Sequence, residues 1–430
     1  MFGRSTLLSG FVTIAVMVSL AGRAVAELMT ALFPDGVPGY DADEGVTVET
    51  RLHPEQMPLG VREGAFQFLP QLDESFGYTS NALPGPYRRG SWQVVTAPSL
   101  AINSDWSNDA FGATASVRDT RYVSLPSQDR TDETVSAGGR IDIGDGKLTL
   151  AAAHVAEHED RGALDSIASD RPIAFDLDDV RASYARTDGA WSLNAGVEAT
   201  NWTYGDTTIL GSPVSEAYRD RVVLQSGVTV HYEFLPLRSV VFVARVINQD
   251  YTRTPIGQQS LDSNTYQLLA GLDYDDDSVW RWRLLVGGEI RQFSSPQYPR
   301  QETLIAEAGV AWSPSPMTTV SATVSRDTQD AAQEGVSGLI YSTARLTIDH
   351  EYLRDLLFRV SAGFQRADFF QGGHQTGTTA GAGLVWVLNR NARLLVTYDQ
   401  TDLHGSVLPA EAVVAGYSRG VGLVTMRLAI

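Results

Sequence analysis

The sequence predicts an all-β fold, a transmembrane antiparallel up-and-down β-barrel of about 18 strands with short periplasmic turns and longer extracellular loops. Three observations predict it. Segments of about 10–16 residues alternate apolar with polar or small residues, whereas strands of soluble proteins usually run to about 5–6 residues. Tight turns and longer polar loops alternate strictly along the chain. Because a bilayer offers no water to backbone N–H and C=O groups, strands of this length are expected to pair within a closed sheet.

The chain begins with a predicted signal peptide, residues 1–26. Arg4 supplies a positive charge, residues 7–22 are apolar, and a small-x-small cleavage site ends at Ala26. A retained anchor is the alternative, but this apolar stretch falls short of the roughly 20 residues that a spanning helix needs. We therefore expect cleavage after Ala26 and export of the mature chain to the outer membrane of a Gram-negative bacterium.

Residues 27–63 are predicted to form a periplasmic N-terminal segment. They are polar, contain proline and glycine, and lack clear periodicity. A plug inside the barrel is the alternative, although the segment is short for a wide pore. Residues 40–45 resemble the first half of a calcium-binding loop, but no glutamate follows at the twelfth position, so we expect no metal there.

The barrel is predicted to extend over residues 64–430. Its strands carry apolar residues on one face and charged residues on the other. In residues 279–292, for example, Trp280 lies on one face and Arg281 on the opposite face. A soluble sheet would turn its charged face outward, whereas a barrel in lipid closes around its charges. The alternative, a large soluble β-sandwich or solenoid, conflicts with the signal peptide, the strand length and the asymmetry of the connections.

The predicted connections fall into two alternating classes. Gly, Pro, Asn, Asp and Ser dominate the tight turns because these residues adopt or stabilise turn conformations of the backbone. Tight turns are predicted near residues 107–109, 144–146, 188–189, 236, 275–277, 313–316, 353–355 and 389–391. Longer loops are predicted near residues 81–90, 124–132, 158–173, 205–216, 253–263, 294–300, 327–336, 370–376 and 402–414. Tight turns and both termini are expected in the periplasm, which requires an even number of strands.

Aromatic residues near the strand ends are expected at the two membrane interfaces, where an apolar ring can meet lipid and a polar group can meet water. The candidates are Trp92, Trp106, Trp191, Trp202, Trp280, Trp312, Tyr352 and Trp386. Scattered aromatic residues are common in β proteins, so this observation adds only secondary support to the prediction of a barrel.

Charge and cysteine content narrow the classes of function. The formal net charge is −18, and arginine supplies almost all of the positive charge because Lys147 is the single lysine. Strong acidity argues against a nucleic-acid partner, because phosphates require a basic surface. The absence of cysteine excludes disulfides, thiolate metal sites and a cysteine nucleophile. The expected partners are outer-membrane lipid, the barrel assembly machinery, and polar small solutes or polysaccharide.

The polar strand faces supply the candidate functional residues, which are expected to line the lumen. They are Arg140, Arg181, Arg245, Arg281, Arg283, Glu289, Arg291, Arg345, Asp349, Arg359, Arg393 and Asp399. At 16–18 strands a barrel is too wide for side chains to fill, so mixed charges fit a polar channel. Such charges either orient a passing polar solute or form structural ion pairs in the wall, and one residue can do both.

An enzyme is the third hypothesis. His154 and His158, with nearby acidic residues, form a polar cluster where a strand enters an outer loop. A hydrolase site requires a nucleophile and a base within hydrogen-bond reach, and no spacing in the sequence places a serine beside a histidine. The sequence therefore predicts no catalytic residue, no metal and no cofactor.

The start of the barrel resembles a bacterial family. PLGVREGAF (58–66) is similar to the "PLGxRxGxF" lead-in of the putative β-barrel porin 2 family. The aromatic-x-x-Asn stretch that follows in that family matches residues 78–81, and SDWSNDAF (104–111) is similar to its second tight turn. The resemblance covers about 50 residues closely and implies an outer-membrane barrel. The chain departs from outer-membrane barrels in its last residue, Ile430, because they usually end in an aromatic.

The predicted function is therefore a porin-like channel for passive passage of polar solutes. The resemblance implies a further role as the barrel component of exopolysaccharide or capsule secretion. The alternative is a plugged or closed barrel that acts as a surface binding or structural scaffold, and the third hypothesis remains an outer-membrane hydrolase.

Overall fold

The structure, a computed structural model, describes residues 37–40, 47–48, 51, 53–83, 88–276, 279–405 and 416–430. The predicted signal peptide lies outside the described residues, and so do residues 41–45 of the calcium-like sequence. Within these described ranges, no helix is both long enough and apolar enough to cross a membrane.

Eighteen long strands account for most of the described chain, and each has 12 to 16 residues. They are β1 (Phe66–Thr79), β2 (Ser91–Ser104), β3 (Ala110–Tyr122), β4 (Arg130–Ile143), β5 (Gly146–His158), β6 (Ala174–Asp188), β7 (Trp191–Tyr204), β8 (Arg221–Leu235), β9 (Arg238–Tyr251), β10 (Ser263–Asp276), β11 (Trp280–Phe293), β12 (Gln301–Ser315), β13 (Thr318–Gln329), β14 (Leu339–Leu353), β15 (Leu356–Phe369), β16 (His374–Asn389), β17 (Ala392–Gly405) and β18 (Gly416–Ala429). Three-residue strands occur at Val61–Glu63, Thr207–Ile209 and Ser212–Val214.

The eighteen long strands form one closed antiparallel sheet, and Val61–Glu63 pairs with β1 as a nineteenth member. Each strand pairs with the next in sequence, and β18 closes the ring by pairing with β1 from Gln71↔Ala429 to Thr79↔Val421. Closure leaves no open edge in the ring of long strands, so their backbone groups pair within the sheet. The predicted fold class, an up-and-down barrel of 18 strands, is confirmed.

The connections separate to the two ends of the barrel. Eight turns of two to five residues lie at one end, here called the turn end, and nine connections of four to sixteen residues lie at the other, the loop end. The turn predicted at 313–316 is wrong by two to three residues, because β12 continues to Ser315 and the turn is at 316–317. A shift in register between Trp312 and Ser315 accommodates Pro314 within the strand.

The two sheet faces differ as the alternation predicts. On β11, Trp280, Leu284 and Val286 are exposed on the outer face, whereas Glu289 and Arg291 are buried on the inward face. Two aromatic pairs lie on the outer face at the turn end, Trp280–Trp312 and Trp191–Tyr232, with ring centroids 5.3 and 4.6 Å apart. These rings occupy the position expected of a membrane-interface belt.

Trp202 is a correction to the predicted interface aromatics. It is only 7% exposed and lies on the inward face of β7, in an apolar cluster with Phe175 and Tyr204. The reason is its position in the alternation, since Trp202 lies on the same side of β7 as the buried residues Glu198 and Thr200.

The inward face is less uniformly polar than expected. Five buried aliphatic residues form a patch across β9 to β12, namely Val241, Val243, Leu269, Leu285 and Ile305. They interrupt the polar face at positions where the alternation predicts polar or small side chains. The wall of β9–β12 is therefore partly apolar on its inner side.

Candidate functional site

The twelve charged residues predicted for the lumen all lie on the inward face of the sheet. That face is defined by alternation with the exposed apolar residues of the same strands, as Leu346 and Ile348 define it for Arg345 on β14. Their role in conduction stays a prediction. The twelve residues differ in how far they are exposed to the lumen. By this difference in exposure the barrel wall divides into two parts.

One part of the wall, β6 to β12, buries its charges in ion pairs and hydrogen bonds. The guanidinium group of Arg245 donates to Glu307 at 2.8 Å, and that of Arg283 donates to Asp273 at 2.8 Å. Gln267 donates to the Glu289 carboxylate at 2.7 Å. These buried groups are paired as buried charges must be, so they stiffen the wall.

The same part of the wall contains a compact group on β6 and β7. Arg181 donates to Asp179 at 3.0 Å and to Glu198 at 3.1 Å. Asp179 and Glu198 are 1% and 5% exposed. Two carboxylates thus share one guanidinium group in a site that is shielded from the lumen solvent.

The other part of the wall, here called the open wall, comprises the inward faces of β14 to β18. Arg345 and Asp399 are exposed there. Arg359 forms a bidentate pair with Asp349, with N···O distances of 2.7 and 3.1 Å. Small residues fill the positions beside Arg345, since Gly363 is its Cα partner on β15. Arg345 and Asp399 on the open wall therefore face accessible space, whereas Asp349 is 3% exposed beside Arg359.

A loop at the loop end crosses the barrel. Residues 159–173, here called the inward loop, connect β5 and β6 and contact the far wall. Arg419 on β18 donates two hydrogen bonds to Asp160, at 3.0 and 2.9 Å, and the Tyr417 hydroxyl donates to the Gly162 carbonyl oxygen. Because β18 lies five strands from β5 in the closed ring of eighteen, these contacts carry the inward loop over part of the loop-end opening.

Asp165 anchors the inward loop to the connection between β13 and β14. Its backbone N–H donates to Gln375 Oε1 at 2.7 Å, and Gln333 Nε2 donates to its carboxylate at 2.9 Å. The N–H of Ala332 donates to the other carboxylate oxygen. Asp165 has a φ of 62°, a left-handed conformation that aspartate tolerates better than most residues.

A second anchor at the loop end joins two arginines to one carboxylate. Asp330, which follows β13, lies 2.6 Å from Arg291 and 3.2 Å from Arg221. Gln249 also hydrogen-bonds to this carboxylate. Burial alone would raise the pKa of Asp330, but the two arginines and the hydrogen bonds lower it to about 2. Asp330 is therefore ionised under ordinary conditions.

Sequence reasoning missed the loop-end anchors Asp165 and Asp330, and it grouped Asp160 only with His154 and His158. Asp160, Asp165 and Asp330 lie in connections, where alternation says nothing about direction. One signal was available: residues 159–173 form a long connection without secondary structure, and such loops are usually functional.

The histidines of the enzyme hypothesis each contact an aspartate on a neighbouring strand. His154 on the outer face contacts Asp178 at 2.7 Å, and His158 contacts Asp132 at 2.8 Å. Across the parts of the chain that the structure describes, no three His, Asp or Glu residues are grouped so that they could hold a metal ion.

The position of the inward loop across the loop-end opening is here called closed, and a loop released from its anchors is called open. Acidification is expected to favour the closed position. Burial raises the pKa of Asp165 from 3.8 to about 6, and its hydrogen bonds and the charge of Arg219 oppose this only in part. A released loop would regain the ordinary value, so the closed position binds a proton first as the pH falls. Proton linkage then raises the closed-to-open ratio about tenfold between pH 7 and pH 5.

Asp160 does not reverse the expected effect of pH on the closed-to-open ratio. Burial would raise its pKa, but Arg419 and a hydrogen bond from Gly162 lower it to about 2, so it stays ionised over the same range. Its contribution to closure is lost only below the ordinary carboxyl pKa. Single-channel closed times at pH 7 and pH 5 measure the effect, and Asp165→Asn is the control that should abolish it. Longer open times at pH 5 would contradict the assignment.

The chain matches one protein family and is similar in fold to several solved structures. Residues 53–428 match the family described as Putative beta-barrel porin 2. A search of curated proteins finds no relative. Among solved structures, the chain is similar to OccK1 (OpdK) of Pseudomonas aeruginosa, at 10% identity and a TM-score of 0.46, with 84% of this chain and 99% of that chain covered.

Two further solved structures show the same level of similarity. OccK2 (OpdF) of Pseudomonas aeruginosa, in complex with glucuronate, has 10% identity and a TM-score of 0.47, covering 86% of this chain and all of that chain (100%). OccAB4 of Acinetobacter baumannii has 10% identity and a TM-score of 0.46, covering 88% and 100%. These values are too low to support an argument about solute. The family match spans almost the whole closed barrel, and the chain therefore belongs to the Putative beta-barrel porin 2 family of porin-like outer-membrane barrels.

Proposed function

We propose that this chain conducts polar solutes passively across the outer membrane, along the open wall of the barrel. One observation carries the proposal. The inward charges of β6 to β12 are largely buried and paired, whereas Arg345 and Asp399 on the open wall are exposed to the lumen. A solute on this path would pass charges of both signs, which suits polar and weakly charged molecules.

Conductance of the mature chain in a planar bilayer tests this function. Stable ion conductance, together with swelling of liposomes in small sugars, is the expected result. A correctly folded barrel that conducts no ions would contradict the channel and favour the alternative, a scaffold that acts through its outer loops. The inward loop is the observation that favours this alternative, because it crosses the loop-end opening through Asp160 and Asp165.

Arg345→Ser is expected to make the channel more selective for cations. The substitution removes a positive charge that is exposed to the lumen, and a unit charge acting through water over a few ångströms changes local ion concentrations by about two- to fivefold. The reversal potential in a salt gradient measures this change.

Arg366→Ser is the matched control for this measurement. Arg366 is exposed and carries the same charge, but it lies on the outer face of β15 beside Asp368. Its replacement should leave the reversal potential unchanged. Equal shifts for the two variants would show that the assigned strand direction is wrong for the open wall.

A role in export of exopolysaccharide or capsule is a second proposal, which rests on the family resemblance alone. A strain that lacks this chain should then accumulate polymer in the periplasm and secrete less of it. Normal secretion would leave passive uptake as the function. Insertion by the barrel assembly machinery and contact with outer-membrane lipid are likewise proposed, on the basis of the apolar outer face that β18 shares through Val424, Met426 and Leu428.

A further inference from the structure

Part of the N-terminal segment lies inside the barrel. Residues 37–40 contact the inward face of β4 to β6, and Val37 and Tyr40 are 0% and 5% exposed. The Tyr40 hydroxyl donates to Asp179 at 2.6 Å, and Arg181 donates to the Gly39 carbonyl oxygen at 3.1 Å. The Arg181 guanidinium group also lies 4.3 Å from the centre of the Tyr40 ring.

The wall is shaped to receive this stretch. A Cβ atom at Gly138 on β4 would lie 1.9 Å from the Pro38 carbonyl oxygen, so only glycine permits the observed approach. Gly39 adopts a φ of +99°, and a Cβ atom there would lie 2.7 Å from the Ala151 Cβ atom on β5. Such a close approach of two backbones is the situation in which glycine is required. The wall and residues 37–40 are therefore complementary in shape as well as in charge.

The docked stretch is also part of the core that holds the inward loop. Val37 and Tyr40 belong to the same buried apolar cluster as Ile167 and Ile173 of that loop. Ala151 and Val155 on β5 complete the contact from the wall. The N-terminal segment and the inward loop thus bury apolar surface together inside the barrel.

A second point of attachment lies across the barrel at the turn end. The Val48 N–H donates to Thr319 Oγ1 on β13 at 3.0 Å, and Arg51 donates to the Pro316 carbonyl oxygen. Arg393 on β17 donates to the Gln56 carbonyl oxygen at 3.2 Å. In the closed ring, β13 lies almost opposite β5. The chain is therefore attached to opposite walls at Tyr40 and at Val48.

We propose that residues 37–40 of the N-terminal segment act as a resident plug on the inward face of β4–β6 and that their release enlarges the conducting path. The proposal rests on the channel function above and names its regulation. Its docking surface, here called the plug seat, consists of Gly138, Ala151, Asp179 and Arg181. Residues 37–40 are held by hydrogen bonds, one aromatic ring and the apolar contacts of Val37 and Tyr40. None of these contacts belongs to the hydrogen-bonded sheet, so the plug can be released without unfolding the barrel.

Gly138→Leu tests the plug because its side chain would occupy the space of Pro38. The full mature chain should show a single-channel conductance about threefold or more above that of the unsubstituted chain, as expected when an obstruction leaves a pore. Gly139→Leu is the matched control. A Cβ atom at Gly139 meets only the Ala110 carbonyl oxygen, at 3.5 Å, so this variant should conduct like the unsubstituted chain.

Tyr40→Asp provides a second route that leaves the sheet unchanged. It places a third carboxylate beside Asp179 and Glu198, and the repulsion should expel residues 37–40 and raise conductance to the level of Gly138→Leu. Tyr40→Phe keeps the ring over Arg181 and loses only the hydroxyl, so it should show a smaller rise. Heat-modifiable migration in gels verifies that each variant forms a barrel.

The outcomes separate the plug from the channel. An unsubstituted chain that already conducts as well as Gly138→Leu and Tyr40→Asp would overturn the plug and leave the channel in place. Folded variants that all remain silent would overturn the channel and the plug with it. Raised conductance in Gly138→Leu and Tyr40→Asp, with no change in Gly139→Leu, is the result that the proposal requires.

Discussion

Arg291→Ala is expected to destabilise the barrel by about 3 kcal/mol, the lower end of the effect of removing one partner from a buried ion pair. Arg291 is 4% exposed, donates to Asp330 at 2.6 Å, and also donates to Gln249 at 2.9 Å. Without Arg291, the buried Asp330 carboxylate has less positive charge nearby to offset the loss of its hydration. Arg221 still lies 3.2 Å from Asp330, which is why we expect the lower end.

Urea unfolding of the refolded chain in lipid vesicles measures this loss. Arg345→Ala is the matched control, since it removes the same side chain from an exposed position on the inward face. It should change the free energy of unfolding by about 0.5 kcal/mol or less. Equal losses for the two variants would show that the loop-end cluster around Asp330 contributes no more than an ordinary surface arginine.

Leu346→Arg is expected to lower the free energy of unfolding in vesicles by about 2–4 kcal/mol. Leu346 is 43% exposed on the outer face near the middle of β14. An arginine there would face the centre of the lipid, where a charged group loses its hydration and finds no partner. The same unfolding measurement reports the loss.

Thr347→Arg is the adjacent control. Thr347 points inward, and its Cα partners Ser321 and Ser361 leave room for a longer side chain. A charge placed there meets the polar lumen, so stability should change little. If Thr347→Arg lost stability and Leu346→Arg did not, the outer and inward faces of β14 would be the reverse of those assigned here. Comparable losses in both would argue against a lipid-exposed outer wall.

The barrel was readily predictable because its signals are local. Alternation with a period of two reads directly as two faces, as on β14, where Leu346 and Ile348 share the face opposite Arg345. Turn residues with special backbone preferences mark the hairpins, as at Gly189 and Gly144, where φ is positive. The errors were also local: Pro314 was read as a turn residue, but a register shift retains it in β12.

The site was less predictable, since its parts meet only across the barrel. Asp160 and Arg419 are 259 residues apart in sequence, and Tyr40 and Asp179 are 139 apart. The spacing within each pair follows no strand period, so the sequence pattern does not indicate that these residues meet. The division between a buried wall and an open wall was equally hidden, because Arg245 and Arg345 are equivalent by alternation and differ only in what covers them.

The sequence by itself therefore determined the class of fold, the approximate number of strands and the alternation between the two strand faces, because strand geometry and the exclusion of water by lipid act residue by residue. Only the tertiary structure decided which charges remain accessible. Closure of the ring brings residues 37–40 into the lumen, where Tyr40 covers Asp179 while Arg345 and Asp399 stay exposed. Such burial depends on contacts between distant parts of the chain, which no local pattern records.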